Sequence, residues 1–99
     1  MKNLNNEEHL EYLCHGFLSL QTPEEVRHFL EDLCTTSELQ EMSRRLLAAK
    51  MLMDSHIYAE IASQTGLSTA TISRVNRCLK YGNEGYIKVL DRLNRKVHR

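Results

Sequence analysis

Ninety-nine residues make one compact domain the expectation, with a core too small to furnish a catalytic cleft and its supporting shell with much to spare. Hydrophobic residues at 41% and charged residues at 26% describe an ordinary globular chain, while one proline, four glycines and no tryptophan leave little for the turns of a β-sandwich. The formal net charge is zero, yet residues 1–65 carry five basic against eleven acidic side chains, net −6, and residues 66–99 carry eight against two, net +6.

At the N-terminus, Asn3, Asn5, Asn6, Glu7 and Glu8 lack the charged-then-apolar build of a signal peptide, and no later stretch is apolar over the length of a bilayer. A cytoplasmic protein without membrane contact is expected. Leu10, Leu13, Cys14, Phe17 and Leu20 recur at steps of three and four, predicting a first helix from about residue 5 to about residue 20 with one apolar face. Thr22-Pro23-Glu24-Glu25 then starts a second helix: Thr22 caps, Pro23 loses nothing at the first helical position, and Glu25 completes a capping box. Val26, Phe29, Leu30 and Leu33 are expected to point inward. Thr35-Thr36-Ser37-Glu38 repeats the capping-box spacing and opens a third helix with Leu39, Met42 and Leu46 on one stripe. From Leu46 to Met53 that helix is apolar almost all the way round, so it must be covered on nearly every side. Interlocking with a second copy would cover it and predicts an obligate homodimer; a central helix buried within one subunit is the alternative.

Asp54-Ser55-His56 breaks the run, and a short helix from about Tyr58 to Gln64 follows. Thr65-Gly66-Leu67 turns the chain before Ser68 caps a helix running to about Tyr81. Gly82 suits a left-handed C-cap, and Asn83 starts a last helix whose Tyr86, Leu90, Leu93 and Val97 share a face. The expected organisation is a single all-α domain: dimerisation helices over 1–54, a helix-turn-helix over 57–81 and a C-terminal helix over 83–97. Cys14, Cys34 and Cys78 are odd in number and form no CxxC pair, which points to packed apolar side chains. Cys14 and His15 with His9 offer a metal reading, but no complete ligand set accompanies them, and no metal or cofactor is expected.

The stretch from Tyr58 to Arg77 meets the geometric requirements of a helix-turn-helix. Ala62 is small where the second helix crosses closely, Gly66 can take the positive φ of the tight turn, and Ile61, Leu67, Ile72 and Val75 point inward. Ser68, Thr69, Ala70, Ser73, Arg74, Asn76 and Arg77 are left on the outward face, with Lys80 one turn on. Short polar and basic groups of this kind suit phosphate contacts and base-edge readout in a major groove, which makes double-stranded DNA the expected partner. The basic C-terminal third attracts phosphate locally, while the acidic remainder disfavours indiscriminate binding.

The chain resembles the Trp-repressor superfamily, and within it the small bacterial YerC/YecD-type Trp-repressor-related proteins. The resemblance is carried by FLEDLC (Phe29 to Cys34), Thr36-Ser37-Glu38-Leu39 and GLSTATISRVNRCL (Gly66 to Leu79), and continues through Tyr81-Gly82, Gly85-Tyr86 and Leu90-Asp91-Arg92-Leu93. It implies a six-helix subunit in an intertwined homodimer, with N-terminal helices interlaced and two helix-turn-helix heads on one side. It further implies a pocket for a small-molecule corepressor, made here of Arg45, Thr71, Arg74, Val75 and Cys78. Arg45 stands at the family's carboxylate-pairing arginine, and Thr71 and Arg74 match two more pocket positions. Val75 and Cys78 depart from it, replacing a glycine that faces the indole of tryptophan and a serine that bonds the ligand amine. An isopropyl group intrudes on the ring's space, and a thiol is a weak partner for an ammonium, so tryptophan is not expected to bind. A smaller anion, or a phosphate-contacting or helix-surface role, remains open for Arg45 and Arg74.

A sequence-specific transcriptional regulator, in all expectation a repressor, is therefore the leading reading. An amino-acid-gated repressor and a helix-turn-helix protein-interaction module are the alternatives. An enzyme ranks last, because His9, His15, His28, His56 and His98 are scattered and no nucleophile, phosphate-cradling loop or paired-carboxylate motif accompanies them.

Overall fold

A computed structural model describes residues 5–97, with side chains to Arg95. Asn3, His98 and Arg99, and the side chains of Lys96 and Val97, lie outside the described residues. Among the described residues six helices follow one another: α1 (Asn6–Leu18), α2 (Pro23–Leu33), α3 (Thr36–Met53), α4 (Tyr58–Thr65), α5 (Thr69–Tyr81) and α6 (Gly85–Val97). The chain divides into two compact units, one up to Leu39 and one from Gln40 onward.

In the first unit the helix starts are set by side chains. The Asn5 carboxamide accepts the Glu8 amide at 2.9 Å and the Glu8 carboxylate accepts the Asn5 amide at 3.4 Å, a reciprocal box that the apolar periodicity does not reveal. Thr22 Oγ1 accepts the Glu25 amide at 3.1 Å as expected, but the Glu25 carboxylate accepts from Gln21 N at 2.8 Å, one residue before the cap. At α3 the box is complete: Glu38 N donates to Thr35 Oγ1 at 3.1 Å and Thr35 N to Glu38 Oε1 at 2.8 Å. The Thr35 backbone N–H, and after it the Thr35 hydroxyl, hold the Glu38 carboxyl below its ordinary range.

Neither α1 nor α2 contains a buried residue. Phe17 and Phe29 meet edge to face with centroids 5.1 Å apart, yet Leu10, Tyr12, Leu18 and Leu33 remain exposed. The expectation that Leu33 points inward is thus corrected for the single chain. The same holds for cysteine packing: Cys14 and Cys78 are exposed and only Cys34 is half-buried. Their helices have an apolar stripe, but one copy provides too few neighbours to cover it.

The second unit holds the core. Ala48 and Met51 of α3 pack with Ile61, Leu67 and Ile72, and Ala49 packs with Val75 and Leu90. The two clusters share Leu52, which touches both. Small residues at 48 and 49 let neighbouring helices approach, so both are fully buried, whereas Met42, Leu47 and Met53 on the same helix stay exposed. Leu93, expected on the inward face of α6, is also exposed, beside Met53 in a groove bordered by Lys50 and Asp54.

The exit from α5 differs from expectation. Gly82 is extended, at φ −85° and ψ −155°, and the left-handed residue is Glu84 at φ 64°. The last helix accordingly begins at Gly85, not Asn83, with the Lys88 amide bonded to the Glu84 carbonyl at 3.0 Å. A glycine suits position 82 for another reason: a Cβ there would collide with the Cys78 carbonyl oxygen.

Candidate nucleic-acid interface

The helix pair α4–α5 is locked from inside by apolar side chains. Ile61 and Ile72 are fully buried, and Leu67 and Val75 nearly so, which matches the four positions expected to point inward. Burying each such side chain contributes about 1.5–3 kcal/mol. Gly66 ends α4 in the left-handed conformation, φ +73°, with its amide bonded to the Ala62 carbonyl at 2.9 Å. Thr65, passed over by the hydrophobic pattern, is buried and braces the turn. Its hydroxyl donates to the Ile61 carbonyl at 2.7 Å and accepts the Leu67 amide at 3.2 Å, so no polar group is stranded there.

Ser68 then caps α5, its Oγ accepting the Thr71 amide at 3.1 Å and donating to Thr71 Oγ1 at 3.0 Å. Thr69, Ala70, Ser73, Arg74, Arg77 and Lys80 are exposed, as is Ser68, while Asn76 is half-buried at the margin. Ala70, Ser73, Arg74, Asn76, Arg77 and Lys80 line one shallow concavity along the helix, and Tyr81 closes its far end. Tyr81 is not among the contact residues that the sequence pattern singles out, although it stands eleven positions after Ala70, close to three full turns of helix.

The charges on this face are uncommitted. No carboxylate among the described residues pairs with Arg74, Arg77 or Lys80, whereas Arg27, Arg45, Lys50 and Arg95 each meet one a turn away on their own helix, at 2.9–3.4 Å. Exposed i,i+4 pairs of the latter kind are worth little, yet they neutralise the local field. The α5 face keeps its positive field for an incoming anion.

The five residues of the implied corepressor pocket are placed differently. Thr71 is half-buried and engaged with Ser68, Arg74 is exposed, and Cys78 is exposed. Val75 faces the core against Ala49 and Leu90, with 3% of its surface exposed. Arg45 turns to Glu41, both Nε and Nη2 lying 3.3 Å from Glu41 Oε1. Among the described residues, no three His, Cys, Asp or Glu side chains gather as a metal set, and no helix is long and apolar enough to cross a membrane.

The sequence model of the Trp repressor protein family matches residues 8–94. The chain is 49% identical to the YerC protein of Bacillus subtilis (strain 168) over 84 residues, 85% of this chain and 81% of that one. The solved structure of a TrpR like protein from Eubacterium eligens ATCC 27750 is similar with a TM-score of 0.85 and 47% identity, covering 91% of this chain and 96% of the other. A Staphylococcus aureus structure is similar at 0.83 and 43%, covering 93% and 96%.

Proposed function

The chain belongs to the Trp repressor protein family, a family of helix-turn-helix DNA-binding regulators, and from that premise we propose that it is a transcriptional repressor reading a near-palindromic operator as a homodimer. The observation that carries this reading is the outward face of α5. It presents short side chains at Thr69, Ala70 and Ser73 and the unpaired cations Arg74, Arg77 and Lys80, on a helix fixed by a buried seam. The short groups can approach base edges closely, and the cations can hold phosphates on either side. The family is one of regulators, and no catalytic step is assigned to any residue.

Dimerisation is supported by what one copy leaves uncovered. Helices α1 and α2 bury nothing completely, and Met42, Leu47 and Met53 of α3 are each more than two-fifths exposed. A second copy interlaced with the first would cover these side chains, as expected of a closed two-fold assembly. Two heads so related read half-sites about one helical turn, roughly 34 Å, apart.

The position of Val75 in the core supports action without tryptophan, since its isopropyl group packs against Ala49 and Leu90 at a position where the family resemblance implies a glycine facing the indole. The test of the reading is selection from a random DNA pool, followed by binding isotherms on selected and scrambled DNA at several salt concentrations. Thr69→Ala or Ser73→Ala should alter the preferred base at one half-site position and leave the salt dependence nearly intact. Arg77→Ala should weaken both DNAs alike and lower the salt slope by about one unit for each phosphate that the arginine neutralises in the wild-type complex. Equal affinity for both DNAs at every salt concentration, or no binding at low salt, would remove the operator and favour a protein partner.

A further inference from the structure

Resting on the reading of α5 as a DNA-recognition helix, we infer that Tyr81 is a further contact residue, its phenolic hydroxyl donating a hydrogen bond to a backbone phosphate and adding affinity without sequence preference. The side chain is 83% exposed, so its ring and hydroxyl are both accessible to a partner. Its hydroxyl has no hydrogen-bond partner among the described residues. At 100° per residue, eleven residues bring it about 20° from the azimuth of Ala70, so both lie on one stripe of the helix with Arg74 and Arg77. Tyr81 also lines the same concavity as those two arginines and Lys80, whose unpaired charges draw phosphate towards this end of α5.

Distance along the helix decides what the phenol can reach. Eleven residues rise roughly 16 Å, whereas the major groove is about 12 Å wide. With Ala70 over the base edges, Tyr81 lies beyond the groove floor, at its sugar-phosphate wall. A neutral donor at that wall finds phosphate oxygens, which are the same for every sequence. The backbone beneath it is held in place: Gly82 N donates to the Cys78 carbonyl at 2.9 Å immediately after the tyrosine.

Tyr81→Phe tests this, because it removes the hydroxyl and keeps the ring. Affinity for selected and scrambled DNA should fall by the same factor, roughly tenfold for a charge-assisted hydrogen bond. The slope of log affinity against log salt should not change, since a neutral hydroxyl displaces no counterion, in contrast to Arg77→Ala. Scanning the operator with neutral methylphosphonate linkages should find one linkage per half-site at which wild type and Tyr81→Phe bind equally. Wild-type affinity in Tyr81→Phe overturns the inference, as does a loss confined to one base identity or a change in sedimentation, which would make Tyr81 a subunit contact. Failure of the wild-type protein to bind any DNA at low salt would instead overturn the reading of α5 itself, and this inference with it.

Discussion

Replacing Gly82 with alanine tests how the end of α5 is held. A Cβ at residue 82 would run into the Cys78 carbonyl oxygen and lie 3.1 Å from both the carbonyl carbon and Cα of Cys78. These are backbone atoms of the last helical turn and cannot swing aside as a side chain would. The least costly escape moves residue 82 outward and breaks its 2.9 Å bond to the Cys78 carbonyl. Losing that bond costs about 1 kcal/mol, and the crowding that remains brings the expected loss to about 1–3 kcal/mol. For a chain of this size each kcal/mol shifts the melting temperature by roughly 4–8 °C, so a decrease of roughly 5–20 °C is expected. Circular dichroism melts at one fixed protein concentration measure it, since the proposed assembly would make the midpoint concentration-dependent. Asparagine provides the control. Gly82→Asn should lose as much as Gly82→Ala, because it carries the same Cβ. At Gly66, where φ is +73° and a Cβ would meet nothing within 4 Å, asparagine should be milder than alanine because it tolerates the left-handed region. A Gly82→Ala variant melting within about 1 °C of wild type, or rescue of that site by asparagine, would refute the steric account.

Three further outcomes are expected. Isothermal titration with L-tryptophan should show no binding at physiological concentrations, and Val75→Gly combined with Cys78→Ser should gain measurable affinity; submillimolar binding to the wild-type protein would contradict the packed state of Val75. Sedimentation should find a dimer, and melting should rise with protein concentration; a stable, well-folded monomer at micromolar concentration would defeat the interlaced assembly. Glu38 should titrate below the usual carboxylate range when followed by NMR. Because its folded pKa is depressed, its support for the start of α3 is full above the unfolded value and is lost as pH falls through the folded one. Titration of Glu38 at an ordinary carboxylate pH would contradict the Thr35 capping geometry.

The parts legible in the sequence are those fixed by neighbours along the chain. Thr22 and Thr35 cap where a Ser/Thr and a Glu three residues on foretell it, and the glycine of Thr65-Gly66-Leu67 adopts the positive φ of the turn. The inward set Ile61, Leu67, Ile72 and Val75 is equally readable, because short helices joined by a tight turn leave few ways to bury four apolar side chains. Gly82 misleads because a glycine after a helix suggests a left-handed cap, while the actual constraint is a carbonyl four residues back. Leu10, Leu33 and Leu93 show the limit of periodicity: it identifies an apolar face and says nothing of whether the same chain covers it. Thr65 is invisible to the pattern since a hydroxyl that satisfies two backbone groups at once has no hydrophobic signature. The contact roles proposed for the α5 residues rest on side-chain type and outward position, and Tyr81, which lines the same concavity, has an aromatic side chain that a search for short polar and basic groups passes over.

The seam that fixes α5 is built by one chain alone: Ile61, Leu67, Ile72 and Val75 all belong to the unit that begins at Gln40, as does the Thr65 brace. Each head therefore takes its shape without a contribution from another copy. If the proposed dimer forms and Thr69 reads a base as proposed, a mixed assembly of a wild-type chain and one altered at Thr69 would have two heads that prefer different half-sites, and would bind an asymmetric DNA in a single orientation. On that same proposal, the two halves of a target could diverge one step at a time after duplication of the coding sequence, a hybrid pair bridging old and new sites.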